Sequence, residues 1–426
     1  MTTQPDRESM DRGEIEQLQL ERLEATLNRV QRSVPYYQRR FAETGFDAEG
    51  LRSLADLRRL PFTTKQDLRD NHPYGLFAVP LRDVVRVHAS SGTTGLATAV
   101  GYTRNDLATW SDRVARVLVA GGVGKDDVVQ VAFDYGLFTG AFGFHQGAER
   151  LGASVIPVSS ASARRQVEIL RDYRSTALVC TPSHAMTLAD AALEAGIRPG
   201  TLSLRFGLFG AEPWSESMRA ELQAKLKLVA TDNYGLSEVG GPGVAGECLE
   251  RQGLHVAEDH FLVEVVDPET LAPVADGKVG ELVVTTLTRE AMPVIRYRTR
   301  DLASITRVPC ACGRTLARMS RVKGRTDDLI LFNGARVFPS EIEAVLLEVE
   351  GAGPHYEIVL ERRDGRDEAL LRVEAASPGD EGLRGAVERR LASELGVPVG
   401  VELLAPRSLA RSEGKARRVI DRRRPG

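Results

Sequence analysis

The sequence predicts an α/β protein with a β-rich continuation and a small α+β C-terminal part. Three observations predict it: a strand–helix alternation that begins near residue 126, a β-rich texture after residue 254, and a polar, Gly-bearing stretch at 324–336 followed by a new α+β pattern. With 426 residues the chain is long enough for two to four domains.

Leu18, Leu20, Leu23, Leu27 and Val30 recur near a 3.6 period, so residues 14–45 read as helical. Apolar runs at Val128–Phe133, Ser154–Val158, Ala177–Cys180, Arg205–Phe209 and Leu228–Ala230 read as strands. The amphipathic segments 164–172, 184–195 and 215–226 between them predict helices and hence parallel βαβ units. After 254 come HFLVEVVD, GELVVTTL, PVIRYRT and LASITRV, punctuated by Asp267-Pro268 and Asp276-Gly277. The stretch GRTDDLILFNGA is read as a hinge, dividing the chain into residues 1–325 and 326–426. Beyond it, Ser340 and Glu343 have capping-box spacing, and Ile342, Val345, Leu346 and Val349 share a helix face. Strands YEIVLE and ALLRVEA and a helix over 380–395 complete this part.

Composition excludes several classes. Hydrophobic residues make up 42% and charged residues 27%, which speaks against a disordered or fibrous chain. A net charge of −3 gives no global drive toward nucleic acid or anionic membrane. The apolar runs fall far short of the ~18–20 residues that span a bilayer. The polar, acidic N-terminus is not a secretory signal, and four cysteines do not make a disulfide scaffold. A cytoplasmic protein is expected. Of its 56 basic residues only 7 are lysines, which makes each lysine conspicuous.

The strongest local signal is Ser90-Ser91-Gly92-Thr93-Thr94-Gly95, after a candidate strand Val84–His88. Its glycines let the backbone aim N–H groups at an anion, and its hydroxyls add donors. The same composition also suits a Ser/Thr-rich surface loop. It is not a Walker A motif, since G-x-x-x-x-G-K-[ST] occurs nowhere in the chain. Gly241-Pro242-Gly243-Val244-Ala245-Gly246 satisfies G-x-G-x-x-G literally, but it contains a proline and lacks the flanking strand and helix, so it reads as a loop against another backbone. Gly235-Leu236-Ser237-Glu238-Val239 misses the nucleophile elbow at its last position.

Cys310-Ala311-Cys312, with Cys248 and His255 upstream, offers three thiols and one imidazole, a set suited to tetrahedral Zn²⁺ or to unrelated reduced thiols. Cys180, in the apolar run ALVC, reads as a core thiol. Glu238 is either a Mg²⁺ ligand or a solvated charge. Asp301 either accepts from ribose hydroxyls or pairs with an adjacent arginine. Lys415, in RSEGKARR, is otherwise part of a basic tail, and without interleaved aromatics that tail does not read as a nucleic-acid patch.

In this order, SSGTTG, FDYGLFTG, LVCTPS, FGAEPW, NYGLSE, GPGV, GLHVAEDHF, the run from GELVVTTLT to RYRTRDL, and RSEGKA resemble the adenylate-forming (acyl-CoA synthetase) superfamily, and within it the phenylacetate-CoA ligase family. The resemblance runs from about Glu24 to Arg423. It implies a large N-terminal adenylate-forming domain of α/β sheets plus a β-rich subdomain, and a small mobile C-terminal lid. It implies activation of an aryl acid by ATP to an aryl-adenylate, then transfer to the thiol of CoA. The alternative acceptor is a carrier-protein phosphopantetheine thiol, and a third reading is a nucleotide binder without ligase activity.

The same resemblance assigns residues. Ser90, Ser91, Gly92, Thr93, Thr94 and Gly95 would wrap the ATP phosphates. Gly210, Ala211 and Glu212 would line the adenine site with Tyr234 stacked on the ring, joined in the nucleotide site by Asn233, Gly235 and Ser237. Glu238 would bind Mg²⁺. Asp301 would hold the ribose hydroxyls, assisted by Arg325. Asp327 takes the hinge position, and Lys415 would reach the carboxylate and α-phosphate. Tyr135 and Phe138, with the Tyr234–Pro242 segment including Gly235 and Pro242, would shape the acid pocket. Cys248, His255, Cys310 and Cys312 would hold a structural zinc, and a homodimer is implied. Two departures stand out. Leu96-Ala97 follow the loop where family members commonly have Lys-Pro, which implies weaker phosphate binding with activity retained. Ser159-Ser160-Ala161-Ser162-Ala163 replaces a common Gly-Gly-Asn, which makes a hydroxy- or aminobenzoate a competitor to phenylacetate.

Overall fold

The computed structural model describes residues 5–90, 97–159, 161–332, 335–363, 366–410 and 418–423. The predicted helix over 14–45 is two helices, Arg12–Ser33 and Pro35–Thr44. Proline at 35 lacks the N–H that would continue the first helix, and it starts the second at the position where that loss is harmless. The first helix opens on an Asp11–Glu14 capping box and buries Ile15, Leu23, Leu27 and Val30. Gln19 on the same face donates to the carbonyls of Glu258 and Phe261, which docks the helix on the β-rich part.

The predicted alternation is present. Strands Val128–Val131, Ser154–Pro157, Ala177–Cys180, Phe206–Gly210 and Val229–Leu236 pair in parallel. Helices Gly140–Leu151, Ala163–Asp172, Pro182–Glu194 and Glu216–Leu226 supply the crossovers. Ala177–Cys180 is buried at every residue, as a central parallel strand covered on both faces must be. The sheet then changes sense. Gly241–Glu247, expected to be a loop, is a strand antiparallel to Val229–Leu236. Its glycines fit because neighbouring side chains stand where a Cβ would be: at Gly241 that position is 2.6 Å from the Trp110 ring, and at Gly246 it is 2.8 Å from Val117. Leu254–Val256, Arg318–Met319 and Ile305–Thr306 extend the sheet to nine strands.

A second, four-stranded antiparallel sheet joins Phe261–Val266, Gly280–Thr286, Tyr297–Ala303 and Gly324–Arg325. The candidate strand before the Ser/Thr loop is Arg86–Ala89, paired antiparallel with Ala99–Tyr102. No helix among the described residues is long and apolar enough to cross a membrane.

Residues from 330 onward build their own apolar core, with Ile330, Ile342, Leu346, Ile358, Leu371 and Leu391 at its centre. A four-stranded sheet carries Ala352–Arg363 and Arg366–Ala375 between Val419–Asp421 and Gly400–Leu404, with helices Pro339–Glu348 and Glu381–Leu395. The expected capping box at Ser340 and Glu343 is displaced. Pro339 starts the helix two residues earlier than a Ser340 cap would, Glu341 accepts from the Phe338 N–H, and Ser340 donates instead to the Lys323 carbonyl. Glu343 turns to the N-terminal part and accepts from Ser215 N–H at 3.2 Å and from the Tyr356 hydroxyl at 3.3 Å.

Burial pushes the Glu343 carboxyl up to about 7, against the pull of Arg418. A carboxyl raised in the folded state contributes stability that is full below its ordinary range and is lost as pH climbs through 7. From the size of the shift, unfolding free energy should fall by about 3 kcal/mol between pH 4.5 and 7.5 on account of this group. Glu343→Gln should flatten that part of the profile in urea titrations at a series of pH values.

Candidate functional site

The parallel strands end together, and in open α/β sheets ligands bind beyond such ends. Phe206–Gly210 ends on Gly210, where a Cβ would lie 2.3 Å from the Asn233 carbonyl, so only glycine permits the approach. Ala211 follows with φ +69°, a left-handed conformation costly for alanine and typical of positions held by function. Glu212 accepts from Ser183 N–H at 2.8 Å, tying this turn to the start of helix Pro182–Glu194. Asn233 donates to the Phe209 carbonyl across the strand pair. Gly235 sits at a register shift, with the Gly241 carbonyl 2.3 Å from its would-be Cβ.

Asp301 gathers three segments. It accepts from the Tyr234 hydroxyl at 2.7 Å and from Arg325 Nη1 at 2.9 Å, while Arg325 grips Asp327 through Nε and Nη2. Of the adjacent arginines, Arg298 pairs with Glu281, while Arg325, 24 residues on, donates to Asp301. Burial and then Asp301 push the Tyr234 hydroxyl well above its ordinary range, so it stays a donor. Burial pulls the Arg325 guanidinium down, but Asp301 and Asp327 outweigh it and hold its charge.

Glu238 is buried and not a solvated charge; its carboxylate lies 4.0 Å from the Lys65 ammonium. Ser237 and Thr139 hydroxyls meet at 3.0 Å, joining this turn to the 131–142 segment. Pro242 lies against Gly143, and its carbonyl accepts from Trp110 Nε1 at 2.9 Å. Tyr135 shares a hydrogen bond with His145 at 3.1 Å, and the Phe138 ring lies beside Gly140. Ser90 closes the neck of the Ser/Thr loop: its N–H donates to the Thr98 carbonyl and its hydroxyl oxygen accepts from Thr98 N–H. Ser91, Gly92, Thr93, Thr94, Gly95, Leu96, Ser160 and Lys415 lie outside the described residues. Sequence reading missed Lys65, Thr139 and Trp110. Only the scarcity of lysine and tryptophan pointed to two of them, and nothing pointed to Thr139.

The cysteine and histidine side chains converge. Antiparallel pairing sets Arg318 opposite His255 and brings the 310–312 turn onto Cys248. The four ligand atoms of Cys248, His255, Cys310 and Cys312 lie within 4.8 Å of one another. Burial pushes the Cys248 thiol up, with the neighbouring sulfurs adding to it. Three sulfurs and one imidazole nitrogen this close, with Cys180 fully buried elsewhere, form a donor set that fits one tetrahedral Zn²⁺.

Replacing Asp301 by Asn should leave Tyr234 and Arg325 competing for one neutral oxygen. A loss of about 2 kcal/mol in unfolding free energy is expected from denaturant midpoints.

The chain is similar to known proteins over its whole length. The family described as "AMP-binding enzyme" matches residues 53–288, and "AMP-binding enzyme C-terminal domain" matches residues 334–423. A phenylacetate-coenzyme A ligase of Thermus thermophilus is 47% identical over the whole of both chains. Its Escherichia coli namesake is 46% identical over 96% of this chain and 95% of its own. Among solved structures, 2-hydroxyisobutyryl-CoA ligase in its postadenylation state superposes with a TM-score of 0.93 at 32% identity, covering 98% of this chain and 92% of that one. In its thioesterification state the same enzyme, with the same coverage, scores 0.74. The chain belongs to the AMP-binding, adenylate-forming enzymes and, within them, to the phenylacetate-CoA ligase family.

Proposed function

We propose that the chain is an AMP-forming aryl-acid–CoA ligase. It couples an aryl carboxylate to ATP, releases pyrophosphate, and passes the aryl group to CoA with AMP leaving. The observation that carries this reading is the buried Tyr234–Asp301–Arg325 hydrogen-bonded chain, with the buried Glu238 just beyond Tyr234 on the same segment, in a chain so close to phenylacetate-CoA ligases over its full length.

The chemistry needs two stages because oxide is a poor leaving group. Attack of the carboxylate on the α-phosphorus makes AMP the leaving group for the thiol. Negative charge builds on phosphoryl oxygens in the first step, so fixed donors and positioning do most of the work. The 90–95 loop would hold the phosphates through backbone N–H groups and hydroxyls. Gly210, Ala211, Glu212, Asn233, Gly235 and Ser237 would frame the base with Tyr234, and Asp301, held by Arg325, would accept from the ribose hydroxyls. Glu238 suits Mg²⁺: it is a buried carboxylate whose ion-pair contact, with Lys65, is a long one. When bound there, Mg²⁺ supplies neutralisation of phosphate charge. Lys415 would bring its ammonium to the carboxylate and α-phosphate. Tyr135, Phe138, Gly235 and Pro242 would shape the acid pocket.

The chain would divide into residues 1–325 and 326–426, with Asp327 as hinge; the separate apolar core beyond 330 supports this. In 2-hydroxyisobutyryl-CoA ligase two states of one enzyme give TM-scores of 0.93 and 0.74 against this chain, which supports a lid that rotates between half-reactions. CoA is favoured over a carrier-protein thiol as acceptor, because relatives across the full length carry the name of CoA ligases. A cytoplasmic homodimer holding one structural zinc per chain, bound by Cys248, His255, Cys310 and Cys312, completes the reading.

Two experiments test it. Lys415→Ala should slow acid-dependent ATP–pyrophosphate exchange by roughly 10²–10³-fold, the effect of losing one donor to transition-state charge. It should leave thioester formation from pre-made aryl-adenylate near the parent rate; equal loss of both half-reactions would contradict the lid assignment. Elemental analysis should find one zinc per chain, absent from Cys310→Ser; stoichiometric zinc retained by that variant would refute the ligand set.

A further inference from the structure

Gly240 lies, buried, in the Tyr234–Pro242 segment of the proposed acid pocket. It stands between Ser237, bonded to Thr139, and Pro242, packed on Gly143. Its φ is +108°, a conformation that demands glycine. Two guanidinium groups occupy the space a side chain would fill: Arg289 Nη1 lies 2.9 Å and Arg113 Nη2 3.5 Å from the position of a Cβ. Arg113 stands on helix Arg104–Ala120, one turn beyond Trp110, and Arg289 lies just after strand Gly280–Thr286.

Both arginines are deeply buried, at 3% and 5% exposure. Among the described residues neither forms an ion pair, and Nε and Nη1 of each have no hydrogen-bond partner. Arg289 Nη2 donates to the Gly101 carbonyl, and the two groups lie over the Tyr102 and Phe261 rings. The nearby carboxylates are committed elsewhere. Asp106 accepts from Thr103, Glu290 and Ala291 N–H groups, and Asp259 holds Arg116 and His260. Burial and the charge of Arg289 push Arg113 down to about 9. Water alone would meet the free N–H groups but not two like charges held together out of solvent; an anion meets both.

We propose that Arg113 and Arg289 receive a second carboxylate on the substrate, so that the enzyme activates aryl dicarboxylates. One carboxylate goes to the adenylation centre and the other to the arginine pair. Gly240 is two residues beyond Glu238, a backbone span of at most ~7 Å, which suits an aromatic ring bearing both groups. This inference rests on the aryl-acid reading above and sharpens its substrate class.

The test is ATP–pyrophosphate exchange over matched acids: benzoate and phenylacetate against benzenedicarboxylates and carboxyphenylacetates. The best dicarboxylate should exceed its monoacid counterpart at least tenfold in kcat/KM, mainly through KM. Arg113→Met and Arg289→Met should each erase that preference, and Arg113→Lys should keep part of it. The parent comparison does not depend on any variant folding. Preference for monoacids, or a dicarboxylate preference that survives both methionine variants, would overturn the proposal. So would monoacid exchange stimulated by chloride with dicarboxylates inert, which would make the pair an inorganic-anion site. Exchange with no aryl acid of either kind would bring down the aryl-acid reading itself, and this inference with it.

Discussion

One carboxylate joins the working parts of the molecule. Asp301 stands on the four-stranded sheet, takes the Tyr234 hydroxyl from the nine-stranded sheet, and holds the Arg325 guanidinium that also grips Asp327. It is buried, so its charge must be met by donors, and the donors come from segments 67 and 24 residues away. The relative placement of both sheets and the start of the C-terminal part is thereby tied to one hydrogen-bonded centre. A nucleotide sugar bound there would find its acceptor already oriented, with no reorganisation needed at the moment of binding.

Arginine chemistry runs through the structure. With 49 arginines and 7 lysines, the chain meets many of its buried carboxylates with the guanidinium fork. Arg219 with Glu247, Arg116 with Asp259 and Arg298 with Glu281 are all such pairs. Against that background Arg113 and Arg289 are exceptional: both are buried, both lie over aromatic rings, and neither has a carboxylate of its own. Arg318, also buried, gives its fork to the Gln252 and Val308 carbonyls, whereas Arg113 and Arg289 each keep two nitrogens without a partner beside a glycine of the proposed acid pocket.

Much of the fold was legible because period and punctuation are local. The strand Ala177–Cys180 and the helices around it follow from an apolar run and a 3.6-residue pattern, and their order implies a parallel sheet. The misreadings came from proline and glycine. Pro35 divides a helical pattern that hydrophobic periodicity alone carries through, and Pro339 moves a helix start past a well-spaced Ser340 and Glu343. Gly241–Glu247 looked like a loop because its glycines have no side chains to show a period; it is a strand because Trp110, Val114 and Val117 need that room.

By itself the sequence determined the family, because motifs such as SSGTTG, NYGLSE and RYRTRD are contiguous and the resemblance they carry needs no tertiary contact; the residues proposed to meet a triphosphate, a ribose, a carboxylate and a zinc ion were named from those motifs. What only the tertiary structure decided is which separated groups share a site. The pairing of His255 with the strand that carries Arg318, the reach of Arg325 to Asp301, and the closing of Arg113 and Arg289 on Gly240 depend on sheet register and on how helix Arg104–Ala120 packs against the strands. Those relations span tens to hundreds of residues. Burial then makes each unmatched charge there costly enough to be informative.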